Sequence, residues 1–427
     1  MIRTIVTTTF SKFGVILISF AILVSTTQFL GAEGKGYISL FLLNVTLVQL
    51  ISSFIGGPAL VYLLPRFGVE RLLVPSYLWA LVVSVIVPMI LFAVGLQDEQ
   101  YLYHLMFIGA IDAIGKIHLQ IILGRENIKS HNWISFGQSL VLLFSFWIFF
   151  RAFDIHDISA YIGAIYIAYL FTIVAGFLTI YKELGTTPSA ELKGTWRITV
   201  REMTRHGFWI QLANISQLLN YRLSYYLLQK LLPENNYASL GYYATAINLA
   251  EASWVVSKSL AMIQYSRISN TQNPIEIRHL STQMWKIAFY SALVIIGVLV
   301  LISGSIWAFV FGSGDNFEQI RPLLGILAPG IFFMALNNTM SAHLAGRGHY
   351  ELNARVSGLG LILTGLTAPL LIVKMGLYGA ALSTSITYSL STIYQSQLFL
   401  RESRIPWADL WPSRADGRWL RQWIQGN

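Results

Sequence analysis

The sequence contains no cysteine, which excludes disulfides, thiol nucleophiles and thiolate-bound metals. It is also short of charge: Asp, Glu, Lys and Arg make up 11% of its 427 residues, against roughly 25% in an average soluble protein. That is too little to dissolve the surface of so long a chain in water. Long polar stretches are missing too. The longest connection between apolar runs, 182–205, leaves no room for a soluble catalytic domain. What is present is apolar: 55% hydrophobic residues and a mean hydropathy of +0.59. The composition reads as an integral membrane protein, not an enzyme with a soluble active site.

A helix needs about 20 mostly apolar residues to cross the hydrocarbon core. Twelve stretches qualify: 10–30, 37–62, 73–96, 102–124, 132–151, 159–181, 206–229, 240–263, 287–311, 322–344, 354–373 and 376–400. The apolar run from Phe13 to Leu30 exceeds the roughly 7–15 residues of a cleaved signal core and reads as the first span. The predicted fold class is an all-α polytopic membrane protein of about 12 transmembrane helices.

The net charge of +9 would suggest nucleic acid in a soluble protein. Here its distribution gives another reason. Of the 29 Lys and Arg residues, 21 fall in connections on one side of the membrane and five on the other: Lys35, Arg151, Lys230, Arg321 and Lys374. The positive-inside rule makes the basic side cytoplasmic, with both termini on it and no nucleic-acid partner needed. The longest cytoplasmic connection contains Gly185, Pro188 and five basic residues, as a linker would. It divides the chain into an N-terminal six-helix bundle at 1–181, a linker at 182–205, a C-terminal six-helix bundle at 206–400 and a tail at 401–427. In the tail, Trp407, Trp411, Trp419 and Trp423 interleave with Arg414, Arg418 and Arg421. This pattern fits an amphipathic segment in the inner membrane interface, with a partner-docking role as the alternative. The two halves echo each other faintly. "GYISLFLLN" and "GYYATAIN" each open a span after an outer connection, with Asn44 and Asn248 eight and seven residues past Gly36 and Gly241. Internal repeats of this kind are common in secondary transporters.

Three basic residues, Lys116, Arg222 and Lys258, fall inside spans with two acids, Asp112 and Glu251. Each costs roughly 2.5–3.5 kcal/mol at a helix centre on insertion scales, so such groups seldom face lipid. In "QLANISQLLNYRLSYYLLQK", residues Gln211, Asn214, Tyr221, Arg222, Tyr225 and Gln229 fall within about 100° of helical arc. Asn248, Glu251 and Lys258 fall within about 80°. Asp112 and Lys116 stand four apart, in the favourable acid-first order. The tenth span adds Asn337, Asn338 and His343.

Each group has a plainer reading beside the functional one. Lys116 and Lys258 could snorkel to headgroups. Asp112 and Lys116 could be a structural pair, and Arg222 could fasten two helices through Glu251. His118 and His343 are more often structural than proton carriers. Taken together, polar faces on several helices predict a shared cavity with more basic than acidic groups, which suits an anionic substrate. Arg222 suits phosphate best, because its planar guanidinium donates two parallel bonds. Asp112 and Glu251 could bind a coupling H⁺ or Na⁺. No metal site or other cofactor is expected.

The stretch "FLGAEGKGYISLFLLNVTLVQLISSFIGGPALVYLLPR", Phe29 to Arg66, resembles the opening of Wzx-type polysaccharide repeat-unit flippases. The likeness is carried by Leu30, Gly31, Glu33 and Gly36 and extended by "ALNNTMSAHLAGRGHYEL", Ala335 to Leu352. These flippases belong to the multidrug/oligosaccharidyl-lipid/polysaccharide exporter superfamily. The resemblance implies two bundles around a central cavity that opens alternately to each side, in a bacterial cytoplasmic (inner) membrane. It implies a cargo of undecaprenyl-pyrophosphate-linked oligosaccharide, such as an O-antigen unit for lipopolysaccharide. Membrane lipids would be partners, with the polysaccharide polymerase and chain-length machinery as further candidates. Arg222, Lys116 and Lys258 take the family's basic cavity role as a role, not as matched positions. Gln211, Asn214, Tyr221, Tyr225, Asn248 and Asn337 would line the wall. The alternatives are a cation-coupled multidrug exporter, whose site should be acidic and aromatic, and a membrane-embedded glycan polymerase or ligase, which would need a sizeable outer loop.

Overall fold

In a computed structural model of the chain, the described residues are 2–181, 196–232, 236–271 and 273–411. Lys182 and Lys193 of the linker, and Arg414, Arg418, Trp419, Arg421 and Trp423 of the tail, lie outside them. Among the described residues all regular structure is helical. In chain order the elements are α1 (Ile2–Gly56), α2 (Ala59–Phe67), α3 (Val69–Ala93), α4 (Leu102–Gly124), α5 (Ile128–Arg151), α6 (Ile158–Tyr181) and α7 (Trp196–Leu231). There follow α8 (Asn236–Ala252), α9 (Val255–Asn270), α10 (Pro274–Leu301), α11 (Gly304–Phe311), α12 (Ile320–Gly346), α13 (Tyr350–Ser403) and α14 (Trp407–Leu410). The chain is an all-α, multi-pass membrane protein.

Among the described residues, eight helical stretches are long and apolar enough to cross a membrane. Two are of double length, Gly14–Pro65 with 52 residues and Tyr350–Ser403 with 54. At 1.5 Å per residue each runs to about 80 Å, far beyond a core of roughly 30 Å. Each breaks at an internal glycine: Gly31 has φ 69° and ψ −174°, and Gly376 has φ 56° and ψ −130°; the first stretch is interrupted again at Gly57 and Pro58, before α2. Both conformations are open to glycine and strained for other residues. Each long stretch therefore holds two of the expected spans. The break at Gly31 frees the N–H of Ala32, which donates to Asp315 Oδ2 at 2.7 Å.

The spans expected at 206–229 and 240–263 are outside that apolar set. The first is part of α7, 36 residues long and rich in polar groups. The second is divided between α8 and α9. At Ser253 and Trp254 the N–H groups reach carbonyls three residues back, at 3.1 and 3.0 Å, so the turn tightens and the helix restarts. The expected 287–311 span ends early: α10 stops at Leu301 and α11 is a separate short helix.

The packing is inverted relative to a soluble protein. On α13, Ile362, Leu366, Leu370 and Val373 are exposed, while Thr364, Ser383, Thr384, Ser385, Thr387 and Ser391 are buried. Lipid is as apolar as leucine, so helices associate through small residues that allow close approach, not through burial of large ones. The same logic gives backbone groups inside helices side-chain partners from neighbouring helices. Beside Pro329 in α12, the N–H of Gly330 donates to Ser385 Oγ at 3.1 Å, and the Trp254 indole donates to Ile331 O at 3.0 Å.

The chain divides into two compact units. The first comprises Met1–Gln229, Glu234–Tyr242 and Ala308–Phe317, and the second comprises Lys230–Pro233, Tyr243–Trp307 and Glu318–Asn427. This boundary differs from the expected one at 182–205. Residues 206–229, assigned above to the second bundle, belong to the first unit. The reason is local packing. A Cβ on Gly207 would meet Phe54 O, and one on Gly57 would come within 3.0 Å of Gln211 Nε2. The rings of Phe54 and Phe208 lie 5.6 Å apart, and Met203 is buried in the core formed by Leu60, Leu63, Leu72, Ile117 and Ile121.

At Gly36 a Cβ would meet the carbonyl oxygen of Tyr237, a backbone atom that cannot swing aside. Nothing lies within 4 Å of a Cβ built on Gly358. Gly36→Ala is therefore expected to destabilise the protein by about 1–3 kcal/mol through overpacking. Gly358→Ala should be neutral or stabilise by up to about 1 kcal/mol. Thermal unfolding of both purified variants in one detergent checks this, and equal melting temperatures would contradict the close approach at Gly36.

Candidate functional site

The acid–base pair of the fourth span forms. Lys116 Nζ lies 3.9 Å from Asp112 Oδ1 on α4; the aspartate side chain is 9% exposed and the lysine 37%. His118 is tied into the scaffold. Its Nδ1 faces the Ile173 carbonyl at 3.2 Å and its Nε2 faces the Tyr77 hydroxyl. If Nδ1 carries the proton and donates to the carbonyl, Nε2 accepts from Tyr77, so the ring joins α3, α4 and α6.

Much of the α7 stripe is satisfied along its own helix. Asn214 Nδ2 donates to Gln211 Oε1 at 3.0 Å, and Gln217 Nε2 donates to the Tyr221 hydroxyl at 3.1 Å. The Arg222 guanidinium lies 5.3 Å from the centre of the Tyr225 ring, within cation–π range. Gln211 and Tyr225 are buried, and Arg222 is half-buried. The stripe is thus in part a packing face toward α1. The Tyr226 hydroxyl extends that face by donating to Asn44 Oδ1. Asn44 in turn donates to Leu96 O at 2.9 Å and Gln97 Oε1 at 3.0 Å.

Lys35 corrects another reading. Placed above in an outer connection, it is a buried residue of α1, 6% exposed, with Thr26 Oγ1 3.4 Å from its ammonium. The two helical segments of α1 meet directly at the Gly31 kink with no loop between them, so Lys35 lies in the first turns of the second segment and is packed inside. A hydropathy window cannot see this, because a glycine between apolar runs reads equally as a helix end.

Sequence reading also missed a cavity of about 420 Å³ in the first unit, lined in part by Glu33, Tyr37, Tyr101, His156, Asp157 and Tyr237. Tyr37 lies 4.9 Å from Tyr101 and 5.1 Å from Tyr237, centre to centre. The Tyr237 hydroxyl donates to Asp98 Oδ2 at 2.8 Å and accepts from Gln229 Nε2 at 3.2 Å. Burial first, and then that bond to Asp98, push the Tyr237 phenol above its usual range, so it stays a donor. Aromatic faces beside carboxylates can hold a sugar ring or an organic cation. The available signal was Glu33 in the Leu30–Gly36 motif, with tyrosines recurring at the same membrane end.

The remaining expected residues lie in the second unit. Asn248 and Glu251 are half-buried on α8. Lys258 is exposed on α9, its ammonium 5.1 Å from the centre of the Trp254 ring. The turn at 253–254 interrupts the single helix on which the arc of these three was drawn. Asn337 is buried, and its Oδ1 has no hydrogen-bond partner among the described residues. Asn338 donates to Ser257 Oγ at 3.0 Å. His343 is buried between Ser281 Oγ and Glu402 Oε2, each 2.6 Å away.

No protein-family profile and no curated protein sequence matches the chain. Solved structures do resemble it. A lipid II flippase, MurJ, in an inward closed conformation aligns with a TM-score of 0.72 at 15% identity, covering 96% of this chain and 89% of its own. An inward-facing multidrug resistance MATE family transporter of the MOP superfamily aligns at 0.66 and 14% identity, covering 91% and 94%. A MOP superfamily transporter from Pyrococcus furiosus, described by the reverse polarity of its binding pocket, aligns at 0.60 and 14% identity, covering 94% and 95%. These likenesses give the chain the fold of MOP-superfamily transporters.

The Asp112–Lys116 geometry generates a prediction. Lys116→Leu should leave a buried carboxylate unpaired and destabilise by about 2 kcal/mol, below the roughly 3–5 of a fully buried pair because Lys116 is part exposed. Adding Asp112→Asn should recover most of that loss. Melting temperatures of the single and double variants check it; a double variant no better than the single would remove the pairing.

Proposed function

We propose that the protein is a flippase that moves undecaprenyl-pyrophosphate-linked oligosaccharide units, of O-antigen or a related polysaccharide, across the cytoplasmic membrane by alternating access. The observation that carries the reading is α7. In a chain with the MOP transporter fold, a 36-residue helix too polar to face lipid keeps Arg222 half-buried. Intramembrane charge is retained when it is paired or when it meets a substrate. A guanidinium is the side chain best matched to a pyrophosphate. Lys116 in the first unit and Lys258 in the second are further cationic groups available to an anionic cargo. Asp112 and Glu251 are the acids open to a coupling H⁺ or Na⁺. The likeness to a lipid II flippase supports a lipid-linked glycan as cargo, and the three-tyrosine cavity offers aromatic faces to its sugars.

One observation favours a second reading, export of organic cations. The same cavity carries Glu33 and Asp157 beside its tyrosines, a lining suited to a quaternary or protonated amine. MATE multidrug transporters share the fold.

Deleting the gene in its host and resolving both surface polysaccharide and extracted lipid-linked sugars tests the first reading. The expected result is loss of the polymer ladder, with single repeat units accumulating on the carrier. Arg222→Glu should reproduce that loss at unchanged protein abundance. An intact ladder with heightened sensitivity to cationic drugs would transfer the assignment to the second reading.

A further inference from the structure

A second polar cavity, of about 240 Å³, lies in the second unit, where α10, α12 and the end of α13 meet. Its lining includes Arg278, Arg347 and Arg404 around Glu402, with His343 beneath. Arg347 Nε donates to Glu402 Oε1 at 3.1 Å, and Arg278 Nε donates to the Ser403 carbonyl at 3.1 Å. Each bond uses one of a guanidinium's five donors. Glu402 has both oxygens engaged, Oε1 by Arg347 and Oε2 by His343. Three guanidiniums thus share a small cavity with one carboxylate that is already paired.

Two further observations point to a ligand. Arg404 has φ 53° and ψ 29°, the left-handed conformation, at the C-cap of α13. Glycine is the usual residue there, and an arginine is strained by about 1 kcal/mol or more. Strain retained at a cavity wall suggests that the side chain is wanted there. Close by in sequence, Trp407 at the start of α14 and Trp411 just past its end are exposed, with ring centres 6.2 Å apart, and α14 packs against α10. Tryptophan concentrates at the headgroup level of membranes, and this end of the unit is the one the charge bias marks as cytoplasmic.

We infer that this cavity is a phosphate site, taking the phosphate of an anionic lipid headgroup or a free phosphate of the same chemistry. The volume is below the roughly 300–1,000 Å³ of drug-sized sites and suits one phosphate-bearing group. Arg278, Arg347 and Arg404 supply charge-assisted donors, and the buried His343–Glu402 pair fixes the floor. The site belongs to the second unit, whereas Arg222 belongs to the first, so its occupancy does not depend on the identity of the cargo.

The test uses the full chain in phosphatidylcholine nanodiscs. The probes are phosphatidylglycerol mixed into the disc, and inorganic phosphate in the buffer against chloride at equal ionic strength. Thermal unfolding is followed as each probe is titrated. A rise in midpoint with phosphatidylglycerol alone assigns the lipid headgroup, and a rise with inorganic phosphate assigns a soluble source. Arg404→Gly removes the guanidinium and relieves the backbone, so without probe it should melt at the same or a higher temperature. Its apparent affinity for the active probe should fall about tenfold, the loss of one charge-assisted donor. Arg278→Gln should weaken binding likewise, and Arg404→Lys should fall between. The inference is overturned if neither probe moves the wild-type midpoint, or if Arg404→Gly keeps the full shift.

Discussion

The structure depends on one constraint: its solvent is as apolar as its side chains. Burying leucine away from lipid gains little, so contact between helices has to come from close backbone approach and from polar groups that lipid cannot satisfy. This is why glycines mark the tightest crossings, Gly36 against the carbonyl of Tyr237 and Gly207 against that of Phe54. It is also why the buried face of α13 is a run of serines and threonines. At the Gly31 break, and beside Pro329 within α12, a side chain from another segment accepts from a backbone N–H.

The same constraint decides how the polar stripes divide between structure and function. Asn214 with Gln211, Gln217 with Tyr221, and Tyr226 with Asn44 are pairs that a helix of this polarity requires in order to pack. They account for much of the α7 stripe without any cargo. Arg222 differs in kind: it is a charge set beside the Tyr225 ring, and a charge within a span raises the question of what it serves. Lys35 raises the same question with less support around it, a buried ammonium at the limit of hydrogen-bond distance from Thr26.

Apolar runs were legible because the hydrocarbon thickness sets their length; of the two breaks in the double-length helices, Gly31 lies between two expected spans and Gly376 is the first residue of the last one. Asp112 and Lys116 were legible as a pair because helical spacing alone brings them together. Three things were not. The side of α7 that packs on α1 depends on which glycines face it, and periodicity gives the stripe without the partner. The interruption at 253–254 carries no proline or glycine to announce it. The two cavities gather residues from segments far apart in sequence, such as Glu33 with Asp157 and Arg278 with Arg404, so no local pattern could show them.

The bond from Asp315 to Ala32 joins two segments of the first unit that lie more than half of the chain apart in sequence. A polypeptide built from two like halves would be expected to tolerate exchange of one half for that of a relative. Here recombination at the 182–205 linker would separate Gly31 from the carboxylate that completes its break, and would part α7 from Phe54 and Gly57. The two halves are therefore constrained to be inherited together, and a first half synthesised alone would emerge from the ribosome with its opening hinge uncapped until residue 315 had followed.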